Sequence, residues 1–203
     1  MDVPHLLARS PLVRLLWAAP PLELTDAKRR AFERGVVDEF PKHEYLRWLV
    51  ATADPPVLLH GSAMDIDVFE PREQTDWDGR ATRAVFATSD GIWPIYFAIA
   101  DRRRVASLRN GCLPTLQGSR YWFSVEPLPG ATEVWRDGYV YVLPRAPFRQ
   151  HVLGSEWASP VPVAPLARVP VRPQDFPFLD RVGRHDHTES AACTLWQAVR
   201  SRP

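Results

Sequence analysis

Proline sets the strongest limit on what this chain can fold into. The 203 residues include 21 prolines. They concentrate after residue 126, in EPLPG, LPRAPF and SPVPVAPLARVPVRP. Each proline removes a backbone donor and resists the middle of a sheet. The C-terminal third is therefore expected to hold edge strands, extended segments and turns, and a helical bundle there is excluded.

Helical signals lie in the first quarter. Thr25 is placed to cap a helix over about 26–34, with Gly35 at its end. Pro41 suits a first helical position, and Tyr45, Leu46, Leu49 and Val50 recur at helical spacing up to about Ala53. Asp54-Pro55-Pro56 ends that helix. Val57 to His60 then reads as a short buried strand. The stretch AMDIDVFEPREQTDWDGRATR reads as a loop with one strand around 66–69. Arg83–Thr88 is the next expected strand. Residues 95–100, IYFAIA, fit helix or strand equally. Aromatic and β-branched content predicts strands at 120–125, 132–135 and 139–143, the last two joined by a hairpin at Asp137-Gly138. An edge strand at 166–172, a closing segment at 175–182 and a short helix in 190–200 complete the reading. The expected class is α+β: a helical region over 1–54, then a β-rich domain over 55–203 with two packed, mostly antiparallel sheets.

A net charge of +1 argues against broad electrostatic binding of nucleic acid. The one dense basic run, Arg102-Arg103-Arg104, reads as a solvated element end. Cys112 and Cys193 are far apart and lack metal spacing. His185-Asp186-His187 brings no convincing third ligand with it. No apolar run approaches the roughly 20 residues that cross a bilayer. Arg14 interrupts the short apolar stretch at 12–19, a poor secretory segment, so the expectation is a cytoplasmic protein without a membrane partner. GxSxG, P-loop and GxGxxG patterns do not occur.

The segment that invites a functional reading is Leu58-Leu59-His60-Gly61-Ser62. A histidine closing a buried strand can offer a ring nitrogen to a ligand, and a glycine after it allows close backbone approach. Downstream comes RAVFATSDGIWPIYFA, in which Tyr96 stands nine residues after Ala87. In this order the two stretches resemble the ADP-ribosyltransferase superfamily, particularly its poly(ADP-ribose) polymerase-like branch. That branch carries an HG(S/T) strand, a strand ending like YFA, and a tyrosine nine residues further on. The resemblance implies NAD as cofactor, with His60 on a ribose hydroxyl and the Gly61 backbone on the nicotinamide carboxamide. It also implies that Ser62 fills the family's hydroxyl position and that Tyr96 stacks on the ring.

The family's third motif is a glutamate immediately before an aromatic strand such as YIVY. Here the run is Tyr139-Val140-Tyr141-Val142, and the preceding residue is Gly138. Asp137, Glu133 and, with a shifted alignment, Glu126 are the candidate acids. The resemblance thus leaves two readings open. One is an enzyme that cleaves the nicotinamide–ribose bond and transfers ADP-ribose to a protein, nucleic acid or small molecule. The other is a non-catalytic nucleotide- or protein-binding module of the same fold.

Overall fold

The computed structural model describes residues 16–75, 81–113, 115, 118–150, 155–190, 193, 194 and 196. The apolar N-terminal stretch before Leu16 and most of the expected terminal helix lie outside the described residues.

Helix α1, Asp26–Glu33, begins where Thr25 accepts a hydrogen bond from the Lys28 amide at 3.2 Å. Its end is closed by Gly35, at φ +72°, with the Gly35 amide on Phe32 O and the Val36 amide on Ala31 O. That paired closure satisfies two terminal carbonyls and needs the left-handed conformation that glycine adopts freely. Helix α2, Lys42–Thr52, starts after Pro41. Phe32 joins the two helices, with Tyr45 at 5.4 Å and Trp48 at 5.5 Å between ring centroids. Such pairs contribute about 0.5–1.5 kcal/mol beyond the area they bury.

Among the described residues one short strand precedes these helices and ten follow, in two sheets, with a third helix, α3 (Trp93–Ile99), between the fourth and fifth strands. The larger sheet has the order β10-β7-β2-β4-β9-β8, and β3 also pairs with β4. Its strands are β2 Val57–Ser62, β3 Arg72–Thr75, β4 Ala81–Thr88, β7 Gly138–Pro144, β8 Arg149–Gln150, β9 Glu156–Ser159 and β10 Ala167–Val171. The smaller sheet is built on β6, Arg120–Pro127. It pairs with β5 (Val105–Leu113), with β1 (Trp17–Ala18), and in parallel with β11 (Gly183–Arg184). The expected pair of mostly antiparallel sheets is present among the described residues.

The chain divides into two compact units. The first holds 1–21, 100–135 and 177–203; the second holds 22–99 and 136–176. The helices α1 and α2 thus belong with the HGS strand, and the expected boundary at residue 54 has no counterpart in this division. In the second unit, Leu58, Val85, Ala87, Tyr141, Leu143, Phe148 and Trp157 form a buried cluster on one face of the larger sheet.

Several strand expectations change. Residues 132–135 make no strand and no hairpin with 139–143; Trp135 forms one isolated bridge to Ala100. The strand at 138–144 instead runs between β2 and β10, in the interior of the larger sheet. Its five central residues, YVYVL, lack proline, so every amide can donate. Pro170 falls on β10, at the sheet's edge. The strand expected at 66–69 reduces to a bridge between Phe69 and Val163, while β3 and β5, both rich in polar residues, escaped the pattern reading. Residues 93–99 are helical because Asp90 Oδ1 accepts the amides of Ile92 at 2.8 Å and Trp93 at 2.7 Å. Pro94 then lies in the first turn, where a missing amide costs nothing.

Candidate ligand site at the HGS strand

Strand β2 carries His60, Gly61 and Ser62 opposite Tyr141, Val140 and Tyr139 of β7. Its ladder with β4 is confined to one pair, Leu59 with Thr88. The residues that follow Leu59 on β2 are those of the HGS motif. The His60 ring links the two strands: Nδ1 lies 2.6 Å from the Phe86 carbonyl oxygen. A carbonyl only accepts, so Nδ1 bears the proton and Nε2 carries a lone pair. Burial holds the His60 pKa below the ordinary imidazole value; the Phe86 bond opposes this and the Arg72 charge adds to it. At neutral pH the ring is uncharged, half-buried, and able to accept a hydroxyl proton at Nε2.

Neighbouring residues of a strand face opposite ways. His60 turns toward Phe69, with ring centroids 4.6 Å apart. Gly61 turns to the other face, onto α3. A Cβ on Gly61 would lie 1.8 Å from the Pro94 carbonyl oxygen. Gly138 on β7 meets the same helix, and its Cβ would stand 2.0 Å from the Ala98 carbonyl oxygen. The two glycines let α3 rest directly on the sheet backbone.

The sequence-based site therefore divides. Tyr96 sits on α3, fully buried, against Phe97 at 5.6 Å and Phe176 at 5.7 Å. It belongs to the face opposite His60 and offers no accessible ring for stacking. Ser62 shares the His60 face, and its Oγ accepts from the Met64 amide at 3.1 Å. Across from it stands Tyr139, half-buried, with the Arg168 guanidinium 4.7 Å from its ring centroid. Tyr141 donates to Met64 O at 2.7 Å and accepts from the Ile66 amide at 2.9 Å, fixing the chain that leaves β2.

The acids fare differently. Asp137 is exposed and immediately precedes β7, in the same unit as His60. Glu133 belongs to the first unit, where its Oε1 accepts the amides of Val134 and Trp135 at 3.0 and 2.9 Å. Glu126 also lies in the first unit, bonded to Ser107 at 2.9 Å and to the His187 amide at 2.9 Å. Arg103 lies on Asp101, with Nε on Oδ1 and Nη2 on Oδ2 at 3.0 Å each, so the basic run secures a turn.

Sequence reasoning missed one polar network altogether. In the first unit, Ser107, Ser124, Glu126 and His185 are joined by hydrogen bonds of 2.8–2.9 Å. The alternation of β5 and β6 could have placed the two serines and the glutamate on one face, but nothing local links them to a histidine 61 residues beyond Ser124. Among the described residues no three His, Cys, Asp or Glu side chains converge as a metal site. No helix among them is long and apolar enough to cross a membrane. Comparison with family models, curated proteins and solved structures found no match to the chain.

Proposed function

We propose that the second unit is an ADP-ribosyltransferase-like module that binds NAD, or a nucleotide close to it, at the HGS residues of β2, without transferring ADP-ribose. The observation that carries this reading is the short ladder of β2 with β4 beside HGS, where the neutral His60 ring spans the two strands through Nδ1 and keeps Nε2 as an acceptor. An imidazole acceptor on a strand suits a ribose hydroxyl, and the glycine backbone after it suits a carboxamide. The proposal omits Tyr96 from the contact surface, because that ring is buried under α3. It favours a binding module because the position of the family's acid is Gly138, packed against the Ala98 carbonyl with no room for a side chain.

Calorimetry with NAD, alongside an assay for released nicotinamide, tests the proposal. Wild type is expected to bind in the micromolar to millimolar range and to release no nicotinamide. His60→Ala is expected to weaken binding by up to about tenfold, the equivalent of one net hydrogen bond. No heat of binding at millimolar NAD would defeat the NAD reading. Steady release of nicotinamide would favour the second reading, an active transferase. Asp137, exposed at the start of β7, is its best-placed acid, and Asp137→Ala would then abolish turnover.

A further inference from the structure

The chain segment after β11 is held to β6 by two backbone amides and one imidazole. The His185 amide extends the ladder to Val125 O at 3.1 Å, and its side chain is buried on the face that carries Ser107, Ser124 and Glu126. Both ring nitrogens are engaged: Nδ1 with Ser124 Oγ and Nε2 with Ser107 Oγ, each at 2.8 Å. The direction of each bond follows from its neighbour. Glu126 is a carboxylate that already accepts the His187 amide, so Ser107 donates its proton to it. Ser107 Oγ must then accept from Nε2–H, and Nδ1, left without a proton, accepts from Ser124. The chain runs one way, from Ser124 through His185 and Ser107 to Glu126, with every link matched.

We propose that His185 is an acid-sensitive latch: adding a proton to its ring reverses the Ser124 link and loosens residues 183–190 from β6. The imidazolium has donors on both nitrogens, so Nδ1–H would face the buried Ser124 hydroxyl, which could then no longer donate to the ring. The charged groups around the ring are mixed. From β5, Arg109 repels an imidazolium; from β6, Glu126 attracts it, as do Asp186 and Glu189 on the segment itself. His187, largely exposed, lies with Nδ1 3.3 Å from Glu126 Oε1. Burial outweighs the attraction, and the His185 pKa lies below its ordinary value near 6.5.

The sign follows by linkage. The opened segment takes up a proton before the closed one does. The latch is therefore at full strength above about pH 6.5 and weakens as pH falls toward the lower, closed-state value. Glu126 and Asp186 have lowered carboxyl values, so their contributions are lost only at more acid pH.

Hydrogen exchange of the full chain, corrected for intrinsic rates, reads this opening at about pH 7.5 and about pH 5.5, with the carboxylates still ionised. In wild type, protection of amides 183–190 is expected to fall, by at most about tenfold per pH unit. His185→Gln keeps a donor toward Ser107 and does not titrate; its protection is expected to be the same at both pH values. Equal protection of the wild type at both pH values, or the same fall in His185→Gln, would overturn the latch. If His185→Gln does not fold, the wild-type ring decides by nuclear magnetic resonance. A ring midpoint below about 6.5, at the acid end of the loss of protection, supports the latch, and a midpoint at or above about 6.5 refutes it.

Discussion

Gly61 and Gly138 do the same work on adjacent strands. Neither needs an unusual backbone angle; each is glycine because a carbonyl of α3 occupies the place of its Cβ. Gly35 offers the contrast, with φ at +72° and nothing within 4 Å of an added Cβ. Gly61→Ala and Gly138→Ala must push a helix off a sheet and are expected to cost about 1–3 kcal/mol each, or more. Gly35→Ala meets only backbone strain, of order 1 kcal/mol. Thermal melting checks the ranking, since about 1 kcal/mol corresponds to roughly 2–4 °C in a chain of this size. A Gly138→Ala protein as stable as wild type would mean that α3 does not sit where its contacts place it, and the argument against an acid at this position would fall with it.

Helix α3 is the element on which the site reading turns. Seven residues cannot hold a helix in water unaided. Its start depends on Asp90, whose single Oδ1 accepts two amides, and its position on the buried Ile95, Tyr96, Ala98 and Ile99. Asp90→Ala is expected to cost about 0.5–2 kcal/mol, while Asp90→Asn, which can cap equally well, is expected to cost little. Denaturant unfolding of the two variants measures the difference. Equal midpoints for both would show that the helix is held by packing alone.

Across the whole molecule, the path of the chain limits what can be cut away. It passes between the two units after residues 21, 99, 135 and 176, so neither unit is one continuous stretch. Strand β7 comes from beyond residue 135, yet it lies between β2 and β10. A fragment ending at Trp135 therefore leaves one long edge of β2 without its ladder. Such a fragment is expected to give no native strand signal from the second unit by circular dichroism, rapid proteolysis, and no binding of NAD. A protease-resistant fragment that still binds NAD would show that β7 is dispensable to the site.

The sequence by itself determined the locally encoded parts of this protein. Thr25 and Gly35 bracket α1 and Pro41 precedes α2, each acting on residues close along the chain, and the apolar run at 57–60 marks a strand by its composition. The glycine in place of an acid before YVYV was legible in the same way. Tertiary structure alone decided which strands pair. The 138–144 strand takes β2 and β10 as partners and not its neighbour at 132–135, because backbone hydrogen bonds carry no residue label and burial selects the register. It also decided the absolute facing of each side chain. Alternation puts His60 and Gly61 on opposite sides of a strand, but only the seating of α3 tells which of them meets the helix. Tyr96 is hidden for that reason. The chain from Ser124 to Glu126 through His185 likewise joins residues far apart in sequence, which no local pattern could bring together.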